Sequence, residues 1–130
     1  MDKKVDYKKA LTLKGNSVKR TLKEYLYYVK DTEKEQAKLK KMQEEGKEEG
    51  DVKRQSDYVN ECEGAKNQSF KSMEKFYKEL NELFNEIETN VDDIDLQKKK
   101  DEAKELEQYK TAKEVLENAK AVIEKDGADK

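Results

Sequence analysis

The sequence predicts an all-α protein: an antiparallel up-down-up three-helix bundle with coiled-coil-like seams, its helices at roughly 16–46, 51–89 and 93–125. Three observations carry this expectation. The 130 residues include no proline, where average usage gives about 6, so nothing interrupts a long helix. Charged residues make up 46% of the chain, while Leu, Ile, Val and Phe together number only 24. Such a composition fits either a disordered polyampholyte or helices with narrow apolar seams, and a net charge of only −2 removes the self-repulsion that keeps chains unfolded. Spacing decides between the two, because the few apolar residues recur in alternating three- and four-residue steps.

In the first helix the seam runs Val18, Leu22, Tyr25, Val29, Thr32, Gln36 and Leu39. Asn16 or Ser17, after Gly15, supplies N-cap chemistry. The stretch Gly46 to Gly50, GKEEG, reads as a helical hairpin loop. Asp51 then caps a second run of Val52, Gln55, Val59, Cys62, Lys66, Ser69, Met73, Phe76, Leu80, Leu83 and Ile87. Tyr58, Ala65, Phe70, Tyr77 and Phe84 flank this seam and widen it toward a face that touches two neighbours. The polar Gln55, Lys66 and Ser69 weaken its first half, so the stronger core belongs to the second. Thr89 to Asp93 carries turn and cap chemistry. The third seam is irregular at Leu96, Ala103 and Leu106, then settles into Tyr109, Ala112, Leu116, Ala119 and Ile123. No strand is convincing. The nearest candidate, Ala10 to Leu13, alternates weakly and reads equally as an early helical turn. A single helical-bundle domain across 1–130 is expected, with flexible ends near 1–9 and 126–130.

Charge along the chain supports the hairpin. Residues 1–30 carry 9 basic and 3 acidic groups, net +6, whereas residues 76–97 carry 1 basic and 7 acidic groups, net −6. Folding the chain near residue 48 lays the acidic segment beside the start of the basic one. A basic arm by itself would suggest nucleic acid or an anionic membrane. Internal complementarity accounts for this one better, and it favours one hairpin pairing over a slipped or parallel one.

Most catalytic chemistry is excluded. The chain has no histidine, so Ser-His-Asp and Cys-His nucleophiles and His metal ligands are absent. Its single cysteine forms neither an internal disulfide nor a Cys cage. Cys62, on a seam, reads as a small core hydrophobe rather than a reactive thiol. Asp92-Asp93-Ile94-Asp95 lacks the turn glycine and terminal bidentate Glu of a calcium loop. Lys98-Lys99-Lys100, followed by Asp101 and Glu102, reads as a solvated helix face. No apolar run approaches a membrane span, and the N-terminus lacks a signal-peptide core. A non-enzymatic, cytoplasmic protein without cofactor or metal is expected. Of seven tyrosines, Tyr25 and Tyr28 share a helix side while Tyr27 points away, where an amphipathic ring can anchor a partner or cover the bundle edge.

Four strings in order narrow this further. LTLKGNSVKRTLKE (Leu11 to Glu24) is followed by Tyr28 and by Lys41-Met42 ahead of an acidic, glycine-containing loop. Asp51-Val52-Lys53-Arg54-Gln55 opens the second helix, and Glu107-Gln108-Tyr109-Lys110-Thr111-Ala112 with Val115-Leu116 lies in the third. Together they resemble the tubulin-binding cofactor A (tubulin-specific chaperone A) family over roughly 10–84 and 105–120. Two departures stand out. Gly15-Asn16-Ser17 occupies the place of a Thr-Gly-hydrophobic sequence, and the region from Glu86 to Lys104 is longer than usual.

The resemblance implies a three-helix bundle that captures β-tubulin folding intermediates released from the cytosolic chaperonin, on the way to α/β-tubulin heterodimer assembly. Other tubulin-folding cofactors are implied as further partners, with cytoplasmic or cytoskeleton-associated localisation and a monomeric or homodimeric state. Residues standing in the matching motifs become candidate contacts: Lys19, Arg20, Lys23, Glu24 and Tyr28, then Lys53 and Arg54, then Glu107, Tyr109 and Lys110. The alternative is a non-chaperone coiled-coil or helical-bundle scaffold subunit of a larger assembly, whose seams other chains would complete, making it an obligate oligomer.

Overall fold

In a computed structural model, which describes residues 5–127, the chain is all helical but has four helices rather than three. They are α1 (Tyr7–Glu44), α2 (Glu49–Glu88), α3 (Ile94–Lys104) and α4 (Glu107–Gly127). Two compact units share the long helices: one takes the chain up to Arg20 and from Met73 onward, the other spans Thr21–Ser72.

The first helix begins well before the expected position 16. Asp6 supplies the cap, its carboxylate accepting the Lys9 N–H at 2.9 Å. Asn16 and Ser17 lie inside α1 and cap nothing, and the Ser17 hydroxyl donates back to the Leu13 carbonyl at 3.1 Å. Ala10 to Leu13 is helical too. Tyr7, within the stretch 1–9, opens α1 and is buried; residues 1–4 and 128–130 lie outside the described residues.

Gly46 ends α1 with φ +67°, a conformation that costs a side-chain-bearing residue. The Lys47 N–H donates to the Met42 carbonyl at 3.1 Å and the Gly46 N–H to the Gln43 carbonyl at 3.2 Å, the paired bonds of a Schellman stop. Gly50 and Asp51 lie within α2, so Asp51 is a first-turn acid there rather than its cap. The α2 end and the start of α3 follow expectation more closely. Asp93 caps α3, accepting the Leu96 N–H at 2.9 Å.

The expected third helix breaks at Glu105 and Leu106, where the N–H groups of both residues turn back to Glu102 and Ala103 at 3.1 Å. Register explains the break. Ala103 and Tyr109 are both buried, yet at ~100° per residue a six-residue step rotates the second well away from the first. A turn between two helices resets the phase.

Within the first unit, the start of α1 lies antiparallel to the end of α2, with Lys14 pairing with Glu79 at 3.6 Å. The +6 and −6 segments therefore meet as the charge pattern predicted. The end of α2 in turn meets α4, where Phe84 packs edge-on against Tyr109 at 4.9 Å. Gly15 sits close against α4: a Cβ placed there would lie 3.3 Å from the Ala112 Cβ. Leu11, Val18, Met73, Leu80 and Ile87 are almost wholly buried in this unit.

The second unit is an antiparallel hairpin of the later part of α1 and the earlier part of α2. Its pairings include Tyr25 edge-on to Phe70 at 5.2 Å, Gln36 to Glu63 at 2.8 Å and Gln55 to Glu35 at 3.0 Å. The expected weakness in the first half of α2 is present: Gln55 and Ser69 are buried in its seam.

Candidate partner-binding surface

Helix period alone separates the core of α1 from its surface. Val18, Thr21 and Tyr25 are buried, which turns Lys19, Arg20, Lys23 and Glu24 outward, all four exposed. Tyr28 is half-buried and touches Tyr27 edge-on, ring centroids 5.3 Å apart. Tyr27 itself is 62% exposed, the orientation its position predicted. The pair presents aromatic area with little rotamer entropy to lose on binding, the usual make-up of a contact anchor.

On the same hairpin, Lys53 and Arg54 are exposed. Lys53 pairs with Asp57 at 3.6 Å, one turn along α2. Arg54 lines a groove with Lys38, Met42, Asp51, Gln55 and Tyr58. Its floor is part apolar and its rim is charged with both signs. Tyr58 is 45% exposed, and sequence reading missed it as a surface residue because its position beside the seam resembled core. Its phenol is pushed up by the charge of the neighbouring Cys62, then of Asp31. Burial raises the Cys62 thiol, and a contact with Asp31 at 3.6 Å adds to this. Cys62 is buried, a packed side chain as its seam position predicted.

In the first unit, Lys19 and Glu107 are brought to one groove, lined also by Leu11, Asn16, Gln108, Thr111 and Val115. Lys110 is exposed nearby in sequence, whereas Tyr109 is a core residue. Its hydroxyl donates to Glu88 at 2.6 Å, its ring packs on Phe84, and burial pushes its phenol up to about 12. Tyr7 has a matching environment, with burial first and a bond to Glu86 second holding its phenol up to about 12.

Lys100 overturns an expectation. It is not part of a solvated face but is buried, and its Nζ donates to the carbonyls of Glu86 and Thr89, each at 2.7 Å. A cation there satisfies the orphan carbonyls at the end of α2. Gln97 assists by accepting the Val91 N–H at 2.8 Å. The bonding is tertiary, so no local signal in a lysine run could have found it. Lys98 and Lys99 are exposed as expected.

Among the described residues, no group of His, Cys, Asp and Glu side chains has the geometry to hold a metal ion, and no helix is long and apolar enough to cross a membrane. The candidate contacts lie on highly charged helix faces, along two shallow grooves and at the Tyr27–Tyr28 ring pair. Dispersed polar and aromatic area of this kind is the make-up of macromolecular interfaces. The family model of tubulin binding cofactor A matches residues 6–116, taking in both units. No curated protein and no solved structure matches the chain.

Proposed function

Since the chain belongs to the tubulin binding cofactor A family, whose role is that of a tubulin-folding cofactor, we propose that it binds and stabilises β-tubulin folding intermediates. These arrive from the cytosolic chaperonin and leave toward α/β heterodimer assembly, in the cytoplasm and without covalent chemistry. The family match from residue 6 to residue 116 is the observation that carries this. The surface is compatible with such work. A polar, pre-formed helical scaffold can hold a client with exposed apolar area while itself remaining dispersed.

The proposed contacts are Lys19, Arg20, Lys23, Glu24 and Tyr28 on α1, Lys53 and Arg54 on α2, and Glu107 and Lys110 on α4, with Tyr109 supporting α4 from within. Tyr27 and Tyr58 join them on the strength of their exposure. Further cofactors of tubulin folding are proposed as partners, and the protein is proposed to work as a monomer or homodimer.

The test is size-exclusion chromatography with β-tubulin newly released by chaperonin. A complex that co-migrates supports the proposal; no co-migration with folding-competent tubulin removes it. Arg54→Glu reverses a charge on the groove without touching the core. It is expected to weaken the complex about tenfold, the scale of a well-placed interface charge, while helix content stays unchanged.

A further inference from the structure

We propose that the hairpin of residues 21–72 is a separately opening unit, able to melt and re-form while the other unit stays folded. The two units have cores of different chemistry. The hairpin's buried aromatic pair, Tyr25 and Phe70, lies toward its open end; between residues 29 and 66 the buried side chains are Thr32, Glu35, Gln55, Val59 and Cys62, of which only the last two are apolar. Glu35 is met by the Gln55 amide, which donates to its carboxylate and to its backbone carbonyl, each at 3.0 Å. The Thr32 hydroxyl is buried with no partner at all, a desolvation cost that nothing offsets. Asp31 and Glu35, one turn apart on α1, also place like charges on the side that meets Cys62 and Tyr58.

The other unit is built oppositely. Leu11, Val18, Met73, Leu80 and Ile87 are almost wholly buried there, and the buried Lys100 bonds two carbonyls. Apolar burial is the main source of cooperative stability, and isolated helices of this kind are marginal without it. Residues 29–66 therefore belong at the low end of the opening free energies, as a helical foldon distinct from the apolar one. Opening exposes Val59 and Cys62, giving the surface a second, more apolar state.

Native-state hydrogen exchange on the full chain tests this. Amides of 29–66 are expected to exchange at least about tenfold faster, after correction for intrinsic rates, than amides of 76–88. Thr32→Val removes the unpartnered hydroxyl and is expected to slow exchange about fivefold within the hairpin only. Val59→Ala is expected to accelerate it there only. Equal protection in both segments, or variants that shift both segments together, would show one cooperative unit and overturn the proposal. So would exchange in 29–66 slower than in 76–88. Because none of these readouts involves tubulin, they stand or fall independently of the chaperone reading.

Discussion

Tyr7 and Tyr109 show how a single phenol can couple this fold to pH. Each is buried and bonded to a glutamate near the end of α2, and each is held up to about 12 against an ordinary 10.0. The unfolded chain releases these protons near pH 10, while the folded chain keeps them to about 12. The unfolded state thus binds fewer protons across that window, so stability is whole below pH 10 and falls as pH rises toward 12. Phenolate absorbance is expected to show Tyr7 and Tyr109 titrating last, with Tyr58 also above the ordinary range. Tyr109→Phe is expected to remove one of them and flatten the alkaline loss of helix circular dichroism. At neutral pH the same variant is expected to lower the melting temperature, since Glu88 loses its 2.6 Å donor.

At the scale of the element, two close fits set where helices cross and end. Gly15 leaves room for Ala112, with 3.3 Å to a hypothetical Cβ. Gly15→Leu forces α1 and α4 apart and is expected to cost about 1–3 kcal/mol, seen as a lower denaturation midpoint, even though leucine is the better helix former. Lys100 caps the end of α2 from α3. Lys100→Met keeps the stem but leaves the Glu86 and Thr89 carbonyls without their donor, with an expected loss of about 1–3 kcal/mol. Its signature is local: exchange rises first at the end of α2 and in the loop to α3, a region that a surface lysine would leave unchanged.

For the whole molecule, the opposed +6 and −6 segments favour one pairing of α1 and α2. Lys14 and Glu79, each partly exposed, meet at 3.6 Å, and such a pair contributes only about 0.2–1 kcal/mol. Glu79→Lys places like charge opposite Lys14 of the basic stretch and is expected to lower stability by a similar amount. About 0.5 M salt should shrink the difference between variant and parent, because screening acts within a few ångströms at that strength. A difference that salt leaves unaltered would mean that packing rather than charge fixes the pairing.

Sequence by itself determined that the chain is helical, where its hairpin turns, and which half of α2 holds the stronger core. These follow from near-neighbour rules: a 3-4 spacing, a glycine with φ +67°, and polar residues at seam positions. The motif strings also identified the family, and with it the candidate contacts. Near-neighbour rules failed where the deciding partner lay far along the chain. Gly15-Asn16-Ser17 has the chemistry of a helix start, yet α1 runs through it, and Gly15 instead gives Ala112 room. Lys100 has the chemistry of a wet surface, yet two carbonyls of α2 draw it into the interior. The third helix became two, and the turn between them resets the phase so that both Ala103 and Tyr109 are buried. Only tertiary packing decides such cases, since the free energy of burying or bonding a group depends on what the rest of the chain brings beside it.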